Sequence, residues 1–158
     1  MPIFFGGGGS GPVATFRGAL VDFSTAGPVI ATATPTVIDW QETGYDTDSI
    51  WNIANPSRLT VPAGVSFVQL WASVNWTSSR TGTVKLRFLL NGGGNFLFGL
   101  TQSEYEGITL GGSELVSPPL SVIGGQYFEL EVTQTSGAPV QIDLGEEQET
   151  CFAMSILG

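Results

Sequence analysis

Few side chains in this 158-residue sequence could carry out nucleophilic or acid–base chemistry. The absence of histidine excludes the Ser-His-Asp and Cys-His arrangements of nucleophilic hydrolases. The single cysteine, Cys151, lies in an apolar segment, where we expect a buried structural thiol. Glu104 with Glu106 and Glu129 with Glu131 have the composition of a glycosidase pair, but this spacing on a strand places both acids on one exposed face. We therefore predict no catalytic residues and a protein that is not an enzyme.

Three other patterns have the composition of a binding site. Residues 6–11 (GGGGSG) match the phosphate-binding pattern GxGxxG, but they neither follow a full strand nor open a helix. Asp46 and Asp48 could offer oxygens to Ca²⁺, although an Asx turn is the simpler role for two carboxylates in a turn. A sugar-stacking platform is a further possibility for the tryptophans, for which we expect core or interface positions: Trp40, Trp51, Trp71 and Trp76. We predict no cofactor and no metal, with Asp46 and Asp48 the only metal candidates.

Charge is scarce and unevenly distributed. Charged residues make up 12% of the chain, against about 25% in typical domains, while 42% of the residues are hydrophobic. Such a chain is expected to bury apolar surface twice, in a core and in a subunit interface. Residues 1–87 contain all five cations and five acids, whereas residues 88–158 contain nine acids and no cation, which gives the net charge of −9. Because nucleic acid and anionic membranes are bound through basic surfaces, neither is a predicted partner.

The sequence shows no secretion or membrane signal. The N-terminal residues lack a cationic segment followed by a long apolar one, and no stretch of about 20 apolar residues occurs. The lone cysteine provides no internal disulfide framework. We expect a soluble protein made in a reducing cytoplasm.

Residues 1–14 are predicted to form an extended, Gly-rich N-terminal arm ahead of a domain at residues 15–158. Two adjacent phenylalanines precede a flexible glycine linker, and exposed aromatic residues on such a tether favour docking on another protein over a frayed terminus. The predicted anchor residues are Pro2, Ile3, Phe4, Phe5, Gly6, Gly7, Gly8 and Gly9.

The remaining sequence predicts an all-β domain. About ten short segments rich in β-branched and aromatic residues alternate with Gly, Pro, Asn and Asp, which is typical of a sandwich or jelly roll. The predicted strands are residues 15–23, 34–40, 58–61, 66–76, 83–90, 96–100, 115–116, 120–122, 127–133 and 150–157, and residues 41–56 form a polar stretch with a turn.

The strand at residues 66–76 has two apolar faces. Val68, Leu70 and Ala72 point to one side, while Phe67 and Trp71 point to the other, where an ordinary sandwich strand shows water a polar face. Either a loop or a neighbouring subunit is expected to cover this second face.

Three segments in order resemble the C1q/TNF-like jelly-roll superfamily. Residues 58–67 (RLTVPAGVSF) resemble the family's entry into its central strand, residues 120–130 (LSVIGGQYFEL) its LxLxxGDxVxL strand, and residues 151–157 (CFAMSIL) its aromatic last strand. Ser66 and Gln126 stand where the family often has Tyr and Asp. The resemblance implies a TNF/C1q-like jelly-roll sandwich that forms a homotrimer. The predicted trimer-interface residues are Phe67, Trp71, Phe128 and Phe152.

Residues 45–51 (YDTDSIW) and 55–62 (NPSRLTVP) are similar to C1q-like modules of tailed-bacteriophage structural proteins. This resemblance implies a virion structural protein, and we predict a trimeric capsid decoration (cement) protein. It would lie on the virion surface, be assembled in the host cytoplasm and bind the major capsid protein through its arm. The alternatives are a receptor- or glycan-binding tip of a phage fibre or spike and, as a third class, a carbohydrate-active enzyme.

Overall fold

The structure, a computed structural model, describes residues 15–78, 82–92, 95–104, 112–144 and 150–158, with residues 95–104 described by their backbone alone. Within these ranges the chain forms strands and turns and contains no helix, so no helix there could cross a bilayer. The thirteen strands of the described ranges are β1 (Gly18–Asp22), β2 (Val29–Ile30), β3 (Thr36–Val37), β4 (Glu42–Asp46), β5 (Leu59–Thr60), β6 (Phe67–Val74), β7 (Gly82–Leu90), β8 (Asn95–Glu104), β9 (Ser113–Val116), β10 (Leu120–Ser121), β11 (Tyr127–Gln134), β12 (Val140–Gln141) and β13 (Cys151–Ile156). The predicted all-β fold is confirmed. The arm at residues 1–14 lies outside the described residues, so it and the domain boundary stay predictions.

Most strands belong to two antiparallel sheets. Sheet I has the order β10-β6-β13-β1-β4, and β9 pairs with β6 next to β10. Sheet II has the order β3-β11-β7-β8, and β5 pairs with β11 next to β3. A two-stranded ribbon of β12 and β2 lies beside them. From β3 to β7, successive strands alternate between the two sheets, as strands do in a jelly roll.

Aromatic side chains connect the two sheets through the core. The ring of Phe88 on β7 stacks on Phe152 of β13 with centroids 5.6 Å apart. Trp40 packs between Phe152 and Phe23, with centroids 6.2 Å and 4.9 Å away respectively. All four side chains are at most 3% exposed. This aromatic contact places both sheets on one hydrophobic core, which the inward residues of β6, β7 and β11 continue.

The alternation predicted for residues 66–76 is confirmed in β6. Val68, Leu70 and Ala72 are fully buried in the core, whereas Phe67 is 48% exposed and Trp71 is half-buried. β4, in contrast, was not predicted, because its sequence ETGYD has no apolar alternation and its residues are largely exposed. It forms the edge of sheet I by pairing with β1, with a register shift between Leu20 and Val21.

Candidate assembly surface

The inner face of sheet I packs on the core, and the alternate residues of its strands point to the opposite, outer face. Because residues alternate along β6, Trp71 points to the outer face. The strand register aligns Trp71 with one residue on each neighbouring strand. Trp71 lies opposite Val116 of β9 on one side and Ala153 of β13 on the other. Ala153 lies opposite Leu20 of β1, and Leu20 opposite Tyr45 of β4. We call these five aligned side chains the apolar row.

The apolar row is covered at its centre and exposed at its ends. Leu20 and Ala153 are only 6% and 5% exposed, and Trp71 packs against the small cluster that they form with Cys151. Val116 and Tyr45, at opposite ends of the row, are 53% and 36% exposed. A row of five apolar side chains across a sheet, with partly exposed ends, is unusual for a sheet that faces water.

Phe16 extends this apolar surface beyond the first strand. Its ring makes an edge contact with Tyr45, with centroids 5.2 Å apart, and remains 54% exposed. Gly18 leaves room for this arrangement, because a side chain there would approach the ring of Phe16 to 3.1 Å and collide with the carbonyl oxygen of Met154. The described chain therefore enters sheet I across its outer face.

A second apolar position lies at the other end of β6. Phe67 is 48% exposed, and Leu157, which is 50% exposed, follows β13 and donates its backbone N–H to the carbonyl oxygen of Phe67 at 2.9 Å. Gln69 and Ser155 pair with each other between this position and the apolar row. The outer face thus has two apolar areas separated by a polar pair.

The four predicted interface aromatics fall into two groups. Phe67 and Trp71 lie on the outer face of sheet I, where a neighbouring subunit could contact them. Phe128 and Phe152 are 1% and 0% exposed and belong to the core. Their assignment to a subunit contact is corrected, because the alternation of β11 and β13 turns both rings toward the opposite sheet. The contact of Phe67 and Trp71 with another subunit stays a prediction.

The two metal candidates are occupied by contacts within the protein, Asp46 by its own loop and Asp48 by Arg17 and Thr47. The carboxylate of Asp46 accepts backbone N–H groups from Asp48, Ile50 and Trp51 at 3.2, 2.9 and 3.0 Å. Asp48 pairs with Arg17, whose hydrogen bond, together with that from Thr47, lowers the pKa of the Asp48 carboxyl. The predicted Asx role of Asp46 is confirmed. No group of three metal-ligating acid or cysteine side chains occurs within the described ranges.

The acids of β11 form contacts typical of structural groups. Glu129 was expected on an exposed face but is 6% exposed, because Ser57 donates to its carboxylate at 2.7 Å and Arg58 approaches it at 3.4 Å. Glu131 lies 3.6 Å from Arg87 in an ion pair. The side chain of Glu104 and all of Glu106 lie outside the described residues. Both described acids therefore have partners supplied by the fold.

Three of the four tryptophans and the cysteine occupy structural positions. Trp40 and Trp76 are 1% exposed in the core, and the indole N–H of Trp51 donates to the carbonyl oxygen of Pro56 at 3.0 Å. Cys151 is a free, fully buried thiol, as predicted. Burial first, and then the charge of Asp22, raise the pKa of this thiol to about 12.

Sequence analysis missed Leu20, Tyr45, Val116 and Ala153. Leu20 could have been found, because the strand GALVD carries apolar residues on both faces, as a central strand does. Tyr45 and Val116 lie in short or polar segments, and only the register of sheet I aligns them with Trp71.

The comparisons with known proteins bear on the fold. No protein-family model matches the chain, and no curated protein matches it in sequence. Among solved structures, murine APRIL, crystallised at pH 5.0, shares 12% identity over 90% of this chain and 100% of its own, with a TM-score of 0.67. Eiger TNF from S. frugiperda shares 13% identity over 90% of this chain and 93% of its own, with a TM-score of 0.64.

These likenesses cover nearly the whole length of both partners at low identity, which establishes a shared fold and leaves function open. The predicted C1q/TNF-like jelly roll is confirmed at this level. The chain has the fold of TNF-type jelly-roll proteins, with an apolar row across the outer face of sheet I.

Proposed function

We propose that this protein is a non-enzymatic structural protein that forms homotrimers and decorates the surface of a phage-type capsid. The observation that carries the proposal is the apolar row, which a monomer would leave partly in water at Val116 and Tyr45. Burying an apolar side chain of this size contributes about 1.5–3 kcal/mol, and a threefold contact repeats that contribution in each subunit. A second copy is the proposed occupant of this face.

The resemblance to the C1q/TNF-like superfamily supports a trimer over other assemblies, and the placement of Phe67 and Trp71 agrees with such a contact. Both lie on the outer face of sheet I, and Trp71 belongs to the apolar row. Ala153 and Leu20 lie between Trp71 and Tyr45 and continue the apolar surface across the sheet.

The proposed virion role is supported by two features of the sequence. Residues 45–51 and 55–62 are similar to modules of tailed-phage structural proteins, and residues 1–14 have the composition of a tethered apolar plug. In a trimer, three arms would bind the capsid at the same time. Because the arms are linked, the affinity of the trimer for the capsid would be well above that of one arm. The proposed partner of Phe4 and Phe5 is the major capsid protein.

The contacts of the described acids support a non-enzymatic role. Asp46 is occupied by three backbone N–H groups, and Glu129 by Ser57 and Arg58. General acid–base catalysis requires a carboxyl group that can reach substrate, and these groups are held by the fold. The thiol of Cys151 is protonated and enclosed, so it is unsuited to nucleophilic attack.

Co-sedimentation with undecorated capsids from the same source tests the proposal. The full-length protein is expected to sediment with the capsids, whereas a variant lacking residues 2–12 is expected to remain in the supernatant while still forming trimers. Substitution of Phe4 and Phe5 by serine provides a matched change that leaves the arm at full length. Capsid binding by the variant lacking residues 2–12, as well as by the full-length protein, would show that the arm is not needed for binding.

If neither the full-length protein nor the variant lacking residues 2–12 binds capsids, with trimers intact, the decoration role is overturned and the fibre- or spike-tip alternative is favoured. That alternative predicts cell binding that is lost on substitution of the loops at residues 46–51 or 92–95. Capsid binding by the full-length protein alone would establish a decoration protein anchored by its arm.

A further inference from the structure

A row of polar side chains, three of them acidic, lies beside the apolar row, further along the strands. Asp22 of β1 lies opposite Glu42 of β4, and Ser73 of β6 lies between Cys151 of β13 and Glu114 of β9. Val21 pairs with Phe152, so the next position brings Asp22 beside Cys151. We call these five side chains the acidic row. The acidic row lies two positions from the apolar row along β1, β6, β9 and β13, a distance of about 6.8 Å, and three positions from it along β4, because the register of β1 and β4 shifts.

Asp22 is unusual among these acids because it is already enclosed. The residue is 8% exposed, and its Oδ1 atom has no hydrogen-bond partner among the described residues. A buried carboxylate without a partner is disfavoured in its charged form, whereas the protonated form is neutral and can donate a hydrogen bond. Burial first, and then the charge of Glu42, raise the pKa of Asp22.

The groups around Asp22 are acidic or neutral. The ionisable side chains on this face of the described sheet are Glu42 and Tyr45 from β4, Cys151 from β13 and Glu114 from β9. The six strands of sheet I contain no lysine or arginine. Arg17, just before β1, pairs with Asp48 at the opposite end of that strand from Asp22. Sheet I itself therefore offers no cation to stabilise two charged carboxylates when water is removed.

We propose that assembly through the outer face of sheet I is coupled to proton uptake by Asp22, so that acid favours the trimer and alkali favours free subunits. This inference rests on the proposed homotrimer. A copy that covers the apolar row also covers the exposed Glu42 and so removes the remaining water beside Asp22. The Asp22 carboxyl then binds its proton more tightly in the assembled protein than in the free subunit.

The direction follows from proton linkage. A group whose pKa is higher in the trimer than in the free subunit binds more protons in the trimer, so the association constant rises as the pH falls. This gain in the association constant is complete below the pKa of the group in the free subunit and is lost as the pH rises through its pKa in the trimer. Each carboxyl group whose pKa rises by one unit on assembly raises the association constant about tenfold, or about a thousandfold for three subunits.

The test measures the trimerisation constant of the full chain between pH 4.5 and 8 by sedimentation velocity at constant ionic strength. The wild type is expected to assemble at least about a hundredfold more tightly at the acidic end, in line with one or more carboxyl groups per subunit taking up protons. Asp22→Asn removes the charge at nearly constant shape, and its assembly is expected to be tight at pH 8 and nearly independent of pH. Glu42→Gln, at an exposed edge-strand position, is expected to weaken the pH dependence without affecting folding.

Asp39→Asn is the matched control, because Asp39 is exposed, lies before β4 and changes the net charge by the same amount. It is expected to keep the pH dependence of the wild type, which separates the local effect of Asp22 from general repulsion between acidic subunits. A wild-type trimer whose stability does not change with pH would overturn the inference and leave the proposed homotrimer intact. Monomers at every pH, in the wild type and in both neutralised variants, would overturn the homotrimer itself.

Discussion

Replacing Val116 by aspartate tests the proposed assembly surface most directly. Val116 is 53% exposed on the edge strand β9, beside Trp71 at one end of the apolar row. Because the side chain points away from the core, the substitution is expected to leave the folded subunit intact. The substitution is expected to make the free energy of association between subunits less favourable.

The structure gives the size of this cost. Full burial of a valine contributes about 1.5–3 kcal/mol, so the half of Val116 that is still exposed contributes roughly 1 kcal/mol when a subunit covers it. Three equivalent contacts give about 3 kcal/mol per trimer, or about a hundredfold in the trimerisation constant. Enclosing three carboxylates adds an effective penalty of several kcal/mol for each ion. Val116→Asp is therefore expected to be monomeric at micromolar concentration.

Sedimentation velocity at several protein concentrations measures the oligomeric state, and circular dichroism with thermal unfolding verifies the fold. Val37→Asp is the matched control, because Val37 is 39% exposed on β3, an edge strand of sheet II. It lies opposite Glu131, so its new carboxylate adds like-charge repulsion of only about 0.2–1 kcal/mol. A trimer of normal affinity in Val116→Asp, or equal dissociation in Val37→Asp, would refute the assignment of the contact to sheet I.

Three further predictions concern the fold and the groups that resemble sites. Phe152→Ala is expected to lower the free energy of unfolding by about 3–5 kcal/mol in urea titrations, because it opens the core between the sheets; lost assembly at unchanged stability would contradict that placement. Asp46→Ala is expected to lower the free energy of unfolding by about 1–3 kcal/mol in the same assay, because it leaves the N–H groups of Ile50 and Trp51 unpaired. A rise in the wild-type melting temperature on adding Ca²⁺ would count against the Asx role. Cys151, whose thiol pKa is about 12, is expected to react with a disulfide reagent at pH 8 only after denaturation, and stoichiometric labelling of the native protein would show that the thiol is accessible.

The fold could be predicted to the extent that apolar alternation marks individual strands. In β6 the period of two separates Val68 and Leu70 from Phe67 and Trp71, and the structure confirms both faces. β4 was not predicted, because an exposed edge strand has no apolar face to produce alternation. The jelly-roll topology was predicted from the resemblance of three short segments to the C1q/TNF-like superfamily, because no local pattern shows how strands pair.

The candidate surface was predictable only in part. In β13, apolar residues occupy both faces, so the sequence does not show whether Phe152 or Ala153 points outward. The structure resolves this through the contact of Phe152 with Phe88. The environment of Asp22 depends on Glu42 and on Cys151, which is 129 positions away along the chain, and such proximity has no local signature in the sequence.

The position of β13 has a consequence for how the protein is made. This strand, at residues 151–156, lies between β1 and β6 in sheet I, so the earliest described strand acquires its central neighbour only after almost the entire described chain has been synthesised. Long-range pairing of this kind delays folding relative to synthesis. A chain interrupted before residue 151 would lack Ala153 and the link between the two halves of the apolar row. Only a polypeptide translated past this point therefore contains the complete surface that we propose for assembly.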